Sequence, residues 1–359
     1  MKSWTLISLS SLAALCVIAA CGSKSVDISP SLPISEQSSA AASWHHEGYL
    51  VIVNQLDSTA DLIDLSQGKS IRKIPTGLGP HEAAISDDGK LAAITNYGNG
   101  PQPGNSLTIA SLPKGEVVKT IDLGTYTRPH GIAWLDADRV LVTSESTQNV
   151  VQVNVTEGKV ERAYATGMRG SHMLALDRAG KRVYTANIPD ANVTAIDLAE
   201  GKKVGDIPAG PQSEGIAVSP DGKWIVTGNR AGTISILDAK AMKKVKDLEC
   251  AGVPYRAGFT PDGKRALVPC PMSKELVVID MAKLEIEKKI STSADAGDPN
   301  APLAGPRGVY VHPNSKWAYL TLNENSSAGI VDLVKLELVG RVPVGRSPDG
   351  VAYGIVPKS

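Results

Sequence analysis

The sequence has 359 residues and equal numbers of basic and acidic side chains, 37 Lys and Arg against 37 Asp and Glu, so its formal net charge is zero. A chain without a basic excess lacks the electrostatic signature of a nucleic-acid binder, and no nucleic-acid partner is expected. The length alone allows two or three domains, but an internal repeat favours one.

The first twenty residues have the pattern of a secretory signal. Lys2 supplies a positive charge, and an apolar run over residues 5–20 leads directly into Cys21. The run is too short for a typical membrane span and is typical of a signal peptide. An ordinary signal peptide whose apolar run happens to meet a cysteine is one reading of this pattern.

The other reading comes from residues 18–21, IAAC, which resemble the bacterial lipobox. That resemblance implies cleavage before Cys21 and attachment of a lipid to its thiol. Gly22 in the next position resembles the sorting signal for the outer membrane. The resemblance therefore implies a protein of the bacterial cell envelope that is anchored in the membrane by lipid, on the periplasmic side of the outer membrane.

Residues 21–48 are rich in Ser, Ala and Pro and have no apolar period. Such composition predicts a flexible tether that separates the lipidated Cys21 from the folded part of the chain. We therefore divide the chain into a signal peptide over residues 1–20, a tether over residues 21–48 and a folded domain over residues 49–359.

One phrase recurs along the folded part. In residues 213–229, SEGIAVSPDGKWIVTGN, two apolar runs flank a Ser-Pro-Asp-Gly turn, which predicts a β-hairpin. Aligned on this turn, the copies begin their first strands with His81, His130, His172, Glu214, Tyr255, Arg307 and Asp349. The successive spacings are 49, 42, 42, 41, 52 and 42 residues, the two long ones containing insertions. A strand-built period of about 40–50 residues is typical of β-propeller blades.

Each repeat contains four strand-like runs, so we predict seven blades of four strands. Residues 49–75 supply only the second to fourth strands of a blade, and residues 348–356 supply only a first strand. Pairing of these ends would complete the seventh blade and remove an open sheet edge. The predicted fold is an all-β, seven-bladed β-propeller closed by its N- and C-terminal strands.

The repeats resemble those of the YVTN-repeat propellers of the lactonase-like superfamily. The matching strings are SPDGK at residues 219–223, RVYTAN at 182–187, AITN at 93–96 and VTGN at 226–229. Two units depart, since LVTS at residues 141–144 and LVPC at 267–270 lack the Asn. The resemblance covers about residues 49–356 and implies a propeller. It implies no single activity, because members include binders, surface proteins, cofactor-linked proteins and enzymes.

The residues that open the inner strands should surround the mouth of the central channel, where propellers commonly bind ligands. Three of the six histidines, His81, His130 and His172, occupy successive positions of this ring. Adjacent imidazoles that face one axis suit a shared divalent metal, with Glu214 as a fourth ligand or as the base for a bound water. The alternative is a solvated rim that binds nothing.

The other side of the ring suits an anion. Arg307, with Arg256 and Tyr255 nearby, can hold an anionic group through charge-assisted hydrogen bonds, and Asp349 completes the predicted channel-mouth site. The remaining histidines, including His312 at a strand-end turn, are predicted to be surface residues.

Three functions are compatible with this site. We expect first a ligand-binding or assembly module of the envelope, whose partner is an envelope protein or an anionic small molecule. The second is a metal-dependent lyase or hydrolase acting on an anionic small molecule, with Glu214 as the candidate catalytic residue. The third is an accessory protein for a metal or tetrapyrrole cofactor pathway. The sequence contains no G-x-S-x-G, P-loop, H-E-x-x-H or C-x-x-C-H motif, which disfavours a Ser-type hydrolase.

Two cysteines remain beyond the signal and the lipidation residue, Cys250 and Cys270. Both positions map to the channel-mouth face of one blade. In an oxidising compartment a disulfide between them is the first expectation. The alternative is a soft-metal donor pair formed by Cys270 and Met272.

Overall fold

The computed structural model describes residues 44–177, 181–293 and 305–356. Over these residues it contains twenty-eight strands arranged as seven four-stranded antiparallel sheets. The inner strands of successive sheets contact one another around a central axis. The predicted seven-bladed β-propeller is confirmed.

Blades 1 to 4 have the following strands, from the inner to the outer. Blade 1 contains β28 (Pro348–Gly354), β1 (Tyr49–Asn54), β2 (Thr59–Asp64) and β3 (Lys69–Pro75). Blade 2 contains β4 (Pro80–Ile85), β5 (Leu91–Gly98), β6 (Pro103–Ser111) and β7 (Glu116–Asp122). Blade 3 contains β8 (Pro129–Trp134), β9 (Arg139–Ser144), β10 (Asn149–Asn154) and β11 (Lys159–Ala165). Blade 4 contains β12 (Ser171–Leu176), β13 (Arg182–Asn187), β14 (Asn192–Asp197) and β15 (Lys202–Pro208).

Blades 5 to 7 follow the same order. Blade 5 contains β16 (Ser213–Val218), β17 (Trp224–Asn229), β18 (Thr233–Asp238) and β19 (Lys243–Glu249). Blade 6 contains β20 (Gly258–Phe259), β21 (Arg265–Cys270), β22 (Glu275–Asp280) and β23 (Glu285–Ser291). Blade 7 contains β24 (Pro306–Val311), β25 (Trp317–Leu322), β26 (Ser327–Asp332) and β27 (Glu337–Pro343), with a 3₁₀ turn at Asn323–Asn325.

The two ends of the domain close the ring, as the sequence predicts. The C-terminal strand β28 pairs antiparallel with β1, with Tyr49 opposite Gly354 and Asn54 opposite Pro348. Val351 and Tyr353 of β28 belong to the same buried apolar cluster as residues of β1. The last strand therefore supplies both backbone pairing and packing, and it leaves no free inner edge at blade 1.

Burial decreases from the second and third strands of each blade to the outer strand. In blade 5, β17 is buried almost throughout, whereas β19 buries one residue of seven. Apolar side chains of neighbouring blades pack together, for example Ile109 of blade 2 with Val142 of blade 3. The hydrophobic effect thus holds each blade against the next, as in other stacked repeats.

An Asn at or near the end of the second strand in four blades has a structural role. Asn96 is buried; its Nδ2 donates to Ser106 Oγ at 3.0 Å and Thr108 Oγ1 at 3.1 Å, and its Oδ1 accepts from Gly77 N at 2.9 Å. Asn229 makes the equivalent bonds to the third strand of blade 5. This Asn fastens the second strand to the third strand and, at Asn96, to the incoming loop.

The Thr that precedes this position by one residue links neighbouring blades. The hydroxyl of Thr95 accepts from Glu82 N at 3.0 Å and donates to the carbonyl of His130, in the next blade, at 3.0 Å. Thr143 and Thr321 each make the same pair of bonds within their own blade and to the next. The hydroxyls therefore hold the backbone at the start of the inner strands.

The packed chain extends back to Trp44, within the segment 21–48 assigned to the tether. Trp44 is buried, and His46 Nε2 is hydrogen-bonded to the hydroxyl of Tyr319. His312 is also buried, with its ring 5.0 Å from that of His46 and 4.6 Å from that of Tyr353. The prediction that His312 is a surface residue is wrong, because the segment from Trp44 covers it.

The predicted signal peptide, the lipidated Cys21 and most of the tether lie outside the described residues. Within the described ranges, the structure offers no helix with the length and apolar character that a membrane crossing requires.

Candidate functional site

The structure brings all seven predicted ring residues to one end of the channel. Six of them occupy the second position of an inner strand: His81, His130, His172, Glu214, Arg307 and Asp349. Tyr255 precedes β20, whose ladder is confined to two residues. The sequence alignment therefore placed the ring correctly, because each blade repeats the same turn and the same strand register.

The three histidines form a row of imidazole rings. The ring centroids of His81 and His130 are 4.5 Å apart, and those of His130 and His172 are 3.7 Å apart. His81 Nδ1 lies 2.9 Å from Asp349 Oδ2, and its Nε2 accepts a hydrogen bond from the Gln55 amide at 2.6 Å. Both nitrogens of His81 are therefore engaged by protein groups.

His172 lies between two carboxylates. Its Nδ1 is hydrogen-bonded to Glu145, and its Nε2 lies 2.9 Å from Glu214 Oε1. Burial lowers the pKa of His172, but Glu214 and Glu145 outweigh that effect and raise the pKa to about 9. His172 is therefore an imidazolium at neutral pH.

His130, the middle imidazole of the row, differs from His172 in its protonation state. It is 1% exposed, and its Nδ1 has no hydrogen-bond partner among the described residues. Burial, followed by electrostatic interaction with the neighbouring imidazoles of His172 and His81, holds the pKa of His130 well below its usual value. His130 is therefore a neutral imidazole, the form that ligates metals.

Two buried charged residues meet across the channel beside this ring. The residue after the ring position is Gly in four blades, and a Cβ on Gly131 would lie only 2.6 Å from the backbone nitrogen of Leu174. Blades 2 and 6 have Glu82 and Arg256 there instead. Arg256 Nε donates to Glu82 Oε1 at 2.8 Å across the channel, and both side chains are buried.

Glu214 is the most heavily paired acid of the site. It is fully buried, and its oxygens lie 2.9 Å from Arg256 Nη1, 2.6 Å from Arg230 Nη2 and 2.9 Å from His172 Nε2. Burial raises the pKa of Glu214, but His172, Arg256 and Arg230 hold it far below its usual value. A carboxylate stabilised in this way is a weak proton acceptor, which disfavours Glu214 as a general base.

Three guanidinium groups surround Tyr255. The distances from its ring centroid are 5.3 Å to Arg230, 4.8 Å to Arg256 and 5.7 Å to Arg307. Arg256 faces Glu82, Glu214 and Asp349 and is not free for a ligand. Within residues 44–177, 181–293 and 305–356, by contrast, Arg307 makes no ion pair or hydrogen bond. It is the guanidinium most available to an anion.

Sequence reasoning missed a second set of mouth residues. They lie at or just beyond the end of the second strands, and their backbone N–H groups donate to the residue that precedes the inner strand of the same blade; the set includes Gln55, Tyr97, Glu145 and Arg230. The Tyr97 hydroxyl donates to Glu145 Oε2 at 2.6 Å. Their signal was present in the sequence, since each directly follows the repeat position that is Asn in four blades.

The structure changes the candidate metal ligands. Among the described residues, one group places its donor atoms within 4.8 Å of one another: His130, Glu145 and His172. The predicted set had His81 in place of Glu145, but both nitrogens of His81 have protein partners. His172 must lose its proton before it can bind a metal. A divalent metal stays a prediction, with this altered set of ligands.

The two cysteines meet inside blade 6. Their Sγ atoms are 2.7 Å apart, and both side chains are free thiols in a buried apolar cluster. The structure thus places Cys250 and Cys270 for the predicted disulfide, and its formation stays a prediction. Met272 is 71% exposed while Cys270 is fully buried, which disfavours the soft-metal alternative.

Two comparisons of the sequence with known proteins found relatives. Residues 136–278 match the family model of the cytochrome D1 heme domain. The dihydro-heme d1 dehydrogenase of Pseudomonas aeruginosa is 25% identical over 334 residues, which cover 85% of this chain. The match covers only 62% of that relative.

Solved structures share the fold. Hydrazine synthase of Kuenenia stuttgartiensis aligns with a TM-score of 0.66 and 19% identity, over 76% of this chain and 89% of that one. Dihydro-heme d1 dehydrogenase NirN in complex with DHE aligns with a TM-score of 0.59 and 17% identity, over 84% and 74%. At such identities the likeness shows the fold alone. The chain is a seven-bladed propeller in which residues 136–278 are similar to the cytochrome D1 heme domain.

Proposed function

We propose that this propeller binds a tetrapyrrole at the channel mouth and serves as an accessory protein in a tetrapyrrole cofactor pathway. The similarity to the cytochrome D1 heme domain and to a dihydro-heme d1 dehydrogenase supports this function over a general envelope-assembly module. The proposal concerns binding, because this chain matches only 62% of that dehydrogenase.

The observation that carries the proposal is the pairing of a neutral imidazole with a cationic rim. The unpartnered Nδ1 of His130 suits ligation of an iron centre, and Arg307, beside Tyr255, suits a carboxylate of the macrocycle. The bound iron would supply the redox chemistry. Since His130 is buried beside Tyr97 and His81, one of those rings must move aside to expose it.

Titration with two porphyrins tests the proposal. Iron protoporphyrin IX probes ligation and carboxylate binding together, and metal-free protoporphyrin IX probes carboxylate binding alone. We expect saturable one-to-one binding of both. Arg307→Ala should weaken both by about ten-fold, and His130→Ala should remove the advantage of the iron form.

Lys264→Ala is the matched control, because this exposed cation lies on the turn at the other end of blade 6. Its loss should leave both affinities unchanged. Absence of saturable binding, or an equal effect of Lys264→Ala and Arg307→Ala, would show that the channel mouth is not the site.

A divalent metal at His130, Glu145 and His172 is the second candidate, favoured by the convergence of their donor atoms. It would compete with the porphyrin for His130. Pre-incubation with Zn²⁺ should therefore lower the affinity for iron protoporphyrin IX and leave that for the metal-free form unchanged. The lyase or hydrolase alternative has no such support, since Glu214 is neutralised by three cations.

We also propose that the protein is lipid-anchored in the bacterial cell envelope, with the propeller in the periplasm and an envelope protein as its partner. The support is the sequence of residues 18–22 and the polar tether. We also propose, from the repeated strings of the sequence, that the protein belongs to the YVTN-repeat propellers. The bridging roles of Thr95 and Asn96 offer a physical reason for the Thr-Asn part of that repeat.

A further inference from the structure

Blade 6 lacks the first half of its inner strand pairing. In the other six blades, the first residue of the inner strand is paired with a residue at or near the end of the second strand, as Ser213 lies opposite Asn229. In blade 6 the ladder is limited to Gly258 opposite Leu267 and the next pair. The backbone of residues 250–257 is therefore held to its own blade by few hydrogen bonds, among them Tyr255 N to Pro269 O at 2.9 Å.

The side-chain fastening of this blade is different too. Cys270 occupies the position of the bridging Asn, and Val277 stands where blade 5 has the Ser235 partner of that Asn. No amide bridge can form. The Sγ of Cys250, on the loop that enters the blade, lies 2.7 Å from the Sγ of Cys270 instead. The sulfur contact therefore stands in for the hydrogen bonds that Asn makes elsewhere.

The weakly paired segment carries two residues of the candidate site. Tyr255 contacts the guanidinium groups of Arg230 and Arg307. Arg256 forms ion pairs with Glu82 and Glu214, in blades 2 and 5. How firmly residues 250–257 are held thus affects the whole ring.

We propose that Cys250 and Cys270 form a thiol–disulfide site whose redox state controls how firmly residues 250–257 are held at the channel mouth. A thiolate of one cysteine attacks a small-molecule or protein disulfide, one thiol leaves, and the second cysteine displaces the other. The pair loses two electrons and two protons, the oxidant is reduced to two thiols, and one S–S bond forms between Cys250 and Cys270.

Local chemistry favours Cys250 as the attacking thiol. The hydrogen bond from Cys270, opposed by burial, lowers the pKa of Cys250 below its usual value, which favours the thiolate of Cys250 over that of Cys270. Both sulfurs are buried, so exchange needs local opening. The weakly paired backbone of residues 250–257 makes that opening feasible, and the disulfide then opposes it.

Hydrogen exchange on the full chain tests this proposal without any ligand. The protein is incubated with reduced or with oxidised glutathione, and thiol alkylation after denaturation reports the state of the pair. Amide exchange is then followed by mass spectrometry in peptides covering residues 250–257. We expect exchange to be about ten-fold faster in the dithiol state, since the covalent link suppresses local opening.

Two controls define the result. The equivalent segment of blade 5, residues 209–216, should exchange equally in both states, and a Cys250→Ser/Cys270→Ser variant should exchange at the dithiol rate in both. Redox-independent exchange of residues 250–257 in the wild type, or failure of oxidised glutathione to protect either thiol from alkylation, would overturn the proposal. Neither readout depends on tetrapyrrole binding, so the proposed function is tested separately.

Discussion

The two sides of the channel mouth share one backbone plan and carry opposite chemistry. Blades 2 to 4 present His81, His130 and His172, whereas blades 5 to 7 present arginines around Tyr255. In blades 2 and 3 a Thr hydroxyl also fastens the second strand to the backbone of the next inner strand. The repeat thus sets where side chains project, and the residue type at each position is free to vary.

The two sides of the mouth also differ in how protonation controls their side chains. On the histidine side, His172 is charged between two carboxylates while the adjacent His130 is held neutral. On the arginine side, every guanidinium is charged, and availability depends on pairing. Arg256 faces three carboxylates, whereas Arg307 forms no ion pair with any carboxylate in the described part of the chain. One side therefore offers a neutral nitrogen and the other an unpaired cation, the combination expected for an anionic, metal-containing ligand.

Removal of β28 should have the largest effect, because this strand joins the two sides. A chain truncated after Ser347 loses Asp349, which contacts both His81 and Arg256. It also exposes the edge of β1. We expect aggregation or loss of cooperative unfolding, measured by light scattering and thermal melting. A truncated chain that melts like the full chain would contradict the role of closure.

Arg256→Ala should have the next largest effect, since it breaks the bridge between the sides. The change leaves Glu82 and Glu214 buried without their shared cation, which costs about 3–5 kcal/mol in the free energy of unfolding. Arg169→Ala is the matched control, because its pair with Asp190 is largely exposed and is worth at most about 1 kcal/mol. Equal losses of unfolding free energy for the two variants would show that the buried bridge contributes no more to stability than the exposed pair.

A smaller, pH-dependent effect is expected from the histidine side. The folded-state pKa of His172 is raised to about 9, so its contribution to stability is full below its unfolded pKa of about 6.5 and is lost as pH rises through about 9. For so buried a group the contribution is on the order of 3 kcal/mol. The free energy of unfolding should fall between pH 6.5 and 9.5.

In His172→Gln this part of the pH dependence should disappear. An imidazole resonance that titrates near its ordinary pKa would refute the carboxylate sandwich of Glu145 and Glu214. His130 provides an internal contrast, because its lowered pKa predicts no proton uptake near neutral pH.

Some features of the fold and the site could be predicted from the sequence and others could not, for physical reasons. The Ser-Pro-Asp-Gly turn and the strand alternation are local, so they predicted the blades, the closure and the register of Glu214. Glu145 escaped prediction because its approach to His172 depends on how adjacent blades pack. For the same reason, the sequence showed that Arg256 replaces a Gly but not that Glu82 lies opposite it across the channel.

Cys21→Ser should leave both sides of the mouth unchanged, because it lies outside the propeller. We expect an unprocessed or soluble form, while porphyrin affinity and melting temperature stay constant. The measurement is fractionation of cell envelopes after salt washing. A variant that is processed normally and remains with membranes would remove the proposed lipid anchor.

The most direct test of tetrapyrrole binding is the absorption and electron paramagnetic resonance spectrum of iron protoporphyrin IX bound to the full chain. The two-sided site predicts an imidazole-ligated iron spectrum in the wild type. His130→Ala should abolish that signature while binding persists through the arginine side, and Arg307→Ala should weaken binding while the signature persists. A spectrum that His130→Ala does not change, or a complex that forms equally well with the dimethyl ester of the porphyrin, would contradict the central claim.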